Sequence, residues 1–172
     1  MWFTSCWFIT YGLAVLCRAS TVAKVLNDIS ILSDDAEGLE NTARSFHIFE
    51  GTLNEAMAVH TAFDKVNGDL INATTDINAL SPPSDTDAFD ILDAMTTAKP
   101  FVEHGASKAE WATLFFYNFT TVAEQVQHDI SNFTMLWSTF QYIVFEESRA
   151  RPNARVEHIH IDVALAKAVV GI

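Results

Sequence analysis

The chain has 172 residues, enough for one domain with a sizeable core and too few for an enzyme built from separate lobes. Its 22 acidic against 10 basic residues leave a formal charge of −12, so long-range repulsion opposes nucleic acid and anionic lipid headgroups. Binding through apolar contact is not opposed in that way, and 49% of the residues are hydrophobic.

The first segment has an apolar run from Trp7 to Leu16 followed by small residues, with Cys17 and Ala19 at the −3 and −1 positions of a secretory cleavage site. The run is shorter than the ~20 apolar residues that a spanning helix needs. Residues 1–19 are therefore expected to be a removed leader and 20–172 a single domain without a transmembrane segment. Cys6 and Cys17 both fall in the leader, so no disulfide is expected in the mature chain and packing must supply its stability. Three sequons fit a secreted chain, with acceptors Asn72, Asn118 and Asn132.

After Ser20 the apolar period is helical. Val22, Val25, Ile29, Leu32, Ala36, Leu39, Ala43 and Phe46 step by threes and fours, which puts them on one stripe of a helix. Gly51 supplies a turn, and Thr52 with Glu55 has the spacing of a capping box for a second helix carrying Val59, Phe63, Val66, Leu70, Ala73, Ile77 and Leu80. Pro82 and Pro83 end it. Asp85 or Thr86 is the expected cap of a third helix through Ala88, Leu92 and Met95, interrupted at Pro100, with a bend or loop around Gly105.

A fourth stripe comprises Phe115, Phe119, Val122, Val126, Ile130, Phe133, Trp137, Phe140 and Val144, with Asn118 and Asn132 on its flank. Trp111, Phe116 and Tyr117 are in excess of what one seam requires. A last helix is expected after Pro152, through Val156, Ile159, Val163, Ala166 and Val170. No segment alternates as a strand would. The expected fold is all-α, an antiparallel bundle of four to five helices.

Catalytic chemistry finds little support. His158, His160 and Asp162 have the spacing of a metal-binding strand, but on a helix the two histidines diverge by about 200° and cannot share an ion. His60 and His128 flank apolar stripes without a nucleophile in a recognisable motif, so both are expected to be hydrogen-bonded boundary residues. Acidic pairs such as Asp34 with Asp35, and Asp85 with Asp87, suit caps and solvated faces. No catalytic residue, metal site or cofactor is expected.

The stretches "VAKVLNDISILSDDAEGLENTARSF", "LNEAMAVHTAFDKVNGDLINATTDINALSPPSDTDAFDILDAM" and "RPNARVEHIHIDVALAKAV" resemble the fungal hydrophobic surface-binding protein A family, also called cell wall galactomannoproteins. The resemblance implies a secreted or wall-associated, all-helical, non-enzymatic protein that adsorbs to hydrophobic surfaces, or holds a fatty acid or similar lipid inside the bundle. This chain departs from the family's alanine- and serine-rich composition in its many large aromatics. If an apolar ligand lies between the helices, its expected lining is Phe63, Phe115, Phe119, Phe133, Trp137 and Phe140, all on inward-facing stripes. The alternative is a structural or antigenic wall glycoprotein whose core is filled by its own side chains.

Overall fold

The computed structural model describes the backbone of residues 4–80 and 83–149, and the side chains of residues 22–80 and 83–146. The side chains of the expected leader, the last helix read around Val156–Val170, and His158, His160 and Asp162 lie outside the described residues. Among those described, four helices and no strand are present: α1 (Thr4–Ser45), α2 (Leu53–Asn78), α3 (Asp85–Thr113) and α4 (Thr120–Arg149).

Consecutive helices run antiparallel, but the neighbours are not simply consecutive. α1 packs on α2 and most extensively on α3, α4 packs on α2 and α3, and α2 barely touches α3. The connection from α2 to α3 therefore crosses a diagonal of the bundle, and the α1/α3 and α2/α4 pairs run parallel. The first and second stripes are buried as their spacing predicts, from Val22 to Phe46 and from Val59 to Ile77. α2 opens with the expected capping box: Glu55 N–H donates to Thr52 Oγ1 over 3.3 Å, and Thr52 N–H donates to Glu55 Oε2 over 2.7 Å.

Five expectations are corrected. The cap of α3 is Ser84, one residue before Asp85, because Asp87 returns its carboxylate to the Ser84 amide at 3.1 Å and completes a second capping box. In the first α3 turns Ala88, Ile91 and Met95 are buried, and Leu92 sits half-buried beside the core.

Pro100 does not interrupt α3, which passes through it. A proline inside a helix costs ~3 kcal/mol. Here the ring is exposed while Ala98, Val102, Ala106 and Ala109 are buried, and that burial holds the helix together. The expected bend at Gly105 is absent for a related reason: Gly105 is buried in mid-helix, where its bare Cα lets α3 approach the backbone of α1 at Ala36.

The fifth correction concerns the aromatic run. α4 begins at Thr120, so Phe115 and Phe119 belong to the turn before it and are half-buried, whereas Phe116 is fully buried. Helical phase was carried too far back across a turn, and the turn rotates a different ring inward.

Candidate functional site

The turn after α3 is closed by its own backbone. Phe115, Phe116 and Phe119 donate their amides to Ala112, Thr113 and Phe116 carbonyls at 3.0, 3.0 and 2.7 Å, and Ala123 N–H reaches Phe119 O at 2.9 Å. With these groups satisfied the turn needs no polar side chains, and its apolar ones are free to face either way. Phe116 turns in and meets Phe46, at the end of α1, edge to face with ring centroids 4.7 Å apart. This contact ties the α3–α4 turn to the α1–α2 loop at one end of the bundle.

Around that buried pair the end is apolar and open. Phe49 is 89% exposed, Leu114 70%, Tyr117 61%, Leu53 52% and Trp111 48%. A hollow of about 310 Å³ opens beside them, lined by Ala43, Arg44, Phe46, Ile48, Lys108 and Trp111. A second, of about 250 Å³, lies between Leu114, Tyr117 and the first turns of α4. Charge at this end is largely tied down. Arg44 pairs with Glu40, and Glu55 accepts from the Thr52 amide and from His47 Nδ1 at 2.7 Å, which together hold its carboxyl below the usual range. Other exposed apolar side chains, such as Phe89, Phe101 and Met135, lie along helix flanks.

Four of the six expected lining residues, Phe63, Phe133, Trp137 and Phe140, are buried between α2 and α4, far from this crown. They contact each other: Phe63 meets Phe133 edge-on at 5.7 Å, and Phe133–Trp137 and Trp137–Phe140 stack at 6.4 and 6.0 Å. Trp137 Nε1 donates to Glu103 at 3.3 Å. Phe115 and Phe119 stand apart from this ladder in the turn, Phe115 against Trp111 at 4.8 Å. The three sequon asparagines are at the surface, Asn72 and Asn118 exposed and Asn132 half-buried. Asn118 lies in the turn and not on the flank of α4.

Buried polar chemistry is structural. His60 Nδ1 lies 2.6 Å from the buried Asp129 carboxylate, whose backbone oxygen accepts from Asn67 Nδ2 at 3.0 Å. His128 is exposed and engages Asn132 at 3.1 Å. On the α1/α2 seam two carboxyl pairs repeat at heptad spacing. Asp28 neighbours Asp76, which Lys24 holds at 2.7 Å, and Asp69 neighbours Asp35, which Lys65 holds at 2.6 Å. Burial first, and then the neighbouring carboxyl, pushes Asp28 and Asp69 up to about 6. Asp76 is lowered, chiefly by Lys24. Among the described residues no group of three or more His, Cys, Asp or Glu could hold a metal ion, and no helix is long and apolar enough to cross a membrane.

Sequence reasoning flagged Trp111 and Tyr117 as surplus but missed Phe49, Leu53 and Leu114. The available signal was large apolar residues placed just outside helix ends, where no stripe claims them. The molecule is thus an all-α bundle with a packed interior and an apolar crown at its loop end. The family model for hydrophobic surface binding protein A matches residues 22–107, half of the chain, and the chain belongs to that family. The match takes in α2, the α1–α2 loop and most of α3, and stops short of Trp111. No curated protein and no solved structure is found to match.

Proposed function

We propose that this protein adsorbs end-on to hydrophobic surfaces through Phe49, Leu53, Trp111, Leu114 and Tyr117, and does so without catalysis. The observation that carries the reading is the convergence of five large, half to fully exposed apolar side chains on one end of a strongly acidic molecule. Fully burying such a side chain is worth about 1.5–3 kcal/mol, so five already partly covered ones give on the order of 5–10 kcal/mol. That is comparable with the ~4–15 kcal/mol cost of immobilisation, which makes adsorption reversible and sensitive to single residues.

The reading sits with a secreted, wall-associated protein whose leader is residues 1–19 and whose sequon acceptors are Asn72, Asn118 and Asn132. An acyl chain held in the interior against Phe63, Phe115, Phe119, Phe133, Trp137 and Phe140 is a further proposal. It requires the ring ladder between α2 and α4 to part, whereas adsorption through the crown requires no rearrangement, so we favour the crown.

The test is adsorption to an alkylated sensor surface, comparing the parent with Leu114→Asp/Tyr117→Asp and with the flank variant Met135→Asp, all verified as helical. Apparent affinity should fall about tenfold or more in the crown variant, a loss of ~1.4 kcal/mol or more, and stay within about twofold in the flank variant. Equal loss in both, or loss in neither, returns the structural-glycoprotein reading.

A further inference from the structure

The turn that builds the crown also carries a sequon, Asn118-Phe119-Thr120. The 2.7 Å bond from Phe119 N–H to Phe116 O closes a four-residue turn with Tyr117 and Asn118 at its two central positions. Both side chains are exposed, as is Thr120, whose hydroxyl completes the sequon. The Asn118 Cα is therefore about 3.8 Å from that of Tyr117, whose ring is exposed. The other acceptors stand off from this end. At 1.5 Å per residue Asn132 lies about 18 Å along α4 from its first residue, and Asn72 about 28 Å along α2 from Leu53.

We infer that Asn118 is a glycan acceptor whose occupancy switches the crown off, so that the chain is made in an adsorbing and a non-adsorbing form. The inference rests on the crown reading above. In the modification, Asn118 Nδ2 attacks the anomeric carbon of an oligosaccharide carried on a lipid diphosphate. The N–C bond forms and the anomeric C–O bond breaks. The lipid diphosphate leaves with the electron pair, and one amide proton passes to a base of the transferase. Nothing is oxidised or reduced.

The consequence follows from what a glycan is: bulky, branched and heavily hydrated. For the crown to be buried, a surface must come into van der Waals contact with Tyr117 and Leu114. An oligosaccharide rooted beside them fills that gap with hydroxyls that find no partners on an apolar surface. Glycans on Asn72 and Asn132 leave the crown clear, which makes those sites internal controls.

The full chain is secreted from a glycosylating eukaryotic host as parent, Asn118→Gln, Asn72→Gln and Asn132→Gln, and is made in parallel in a bacterium that adds no glycans. Site occupancy is read by mass spectrometry and adsorption on the alkylated sensor. The expected result is a glycan on Asn118 of the secreted parent. Adsorption should be about tenfold tighter in secreted Asn118→Gln, unchanged in the other two, and equal for parent and Asn118→Gln from bacteria. An unmodified Asn118, or a secreted Asn118→Gln no better than its parent while bacterial adsorption still depends on Leu114 and Tyr117, overturns the inference alone. Bacterial adsorption indifferent to Leu114→Asp/Tyr117→Asp overturns the crown and the inference together.

Discussion

Gly105→Ala tests whether the α1/α3 contact is as close as the structure has it. A Cβ built on Gly105 collides with the Ala36 carbonyl oxygen of α1 and stands 3.2 Å from its carbon and 3.5 Å from its Cα. All three atoms are backbone, so no side chain can swing aside. The helices must separate by a fraction of an ångström along the most extensive interface in the bundle, and a 0.5–1 Å gap forfeits about a quarter to a half of each contact's dispersion energy. Overpacking of this kind costs about 1–3 kcal/mol, occasionally more. Against it stands the intrinsic helical preference of alanine over glycine, about 1 kcal/mol. The expected net is a destabilisation of about 1 kcal/mol, or ~2–4 °C in Tm for a domain of this size, and twice that at the upper end of the overpacking cost. Gly38 and Gly68 are also helical, but a Cβ there meets nothing within 4 Å. Alanine at either should raise Tm by ~2–4 °C through the same preference. Thermal melts followed by far-ultraviolet circular dichroism on the three variants separate the signs. A Gly105→Ala protein as stable as Gly38→Ala would refute the close approach.

Three more perturbations have definite signs. Thr52→Ala and Ser84→Ala each remove one capping box and should cost about 1 kcal/mol by denaturant titration, without change in adsorption. His60→Ala leaves the buried Asp129 carboxylate without its 2.6 Å partner and should cost about 2 kcal/mol, whereas the surface change His128→Ala should be nearly silent in the same titration. Asp28 and Asp69 are raised to about 6 in the fold, so they favour the proton-bound form. Their contribution is fully present below the ordinary carboxylate range near ~4 and is lost as pH rises through about 6. Asp28→Asn/Asp69→Asn should therefore gain on the parent in Tm between pH ~4 and ~7, and a constant difference between the two across that window would refute the raised titration of these carboxyls.

Much of the fold could be read from spacing, because the α1 and α2 stripes obey a single period from end to end and nothing interrupts them. The errors fall where the chain leaves that period. Proline opposes helix locally, which makes Pro100 look like a break, but the decision belongs to the burial of Val102, Ala106 and Ala109 and to the contact of Gly105 with Ala36 of α1, which joins residues some seventy positions apart. Phe115 and Phe119 were phased with α4 because threes and fours continue through them by chance. Only the hydrogen bonds of the turn, which sequence periodicity does not encode, bring Phe116 inward. The crown was the least readable part for the same reason. Its members belong to two segments whose proximity is set by the Phe46–Phe116 contact, and neither segment has a pattern of its own.

The placement of the crown also bears on how a bundle survives at an apolar surface. Domains of this size hold only about 5–15 kcal/mol of net stability, and an apolar surface offers the core an alternative burial. Both cysteines precede Val22, so packing alone holds the described body together. Lying side-on would press exposed carboxylates such as Asp34, Glu37, Asp64, Asp90 and Asp93 against a medium that cannot solvate them. Standing end-on leaves those flanks in water, with charged side chains such as Glu50 and Glu124 at the border of the contact, where rim charges stay hydrated while their neighbours are covered. Beneath the crown, the fully buried Phe116 and the nearly buried Phe46 cap the end of the core, so the surface meets side chains that were already outside it. Adsorption and stability are then carried by different residues. That is why Leu114→Asp/Tyr117→Asp should abolish most of the one and leave the other intact, while Phe133→Ala, in the ladder, should cost about 3–5 kcal/mol of stability with the crown unchanged.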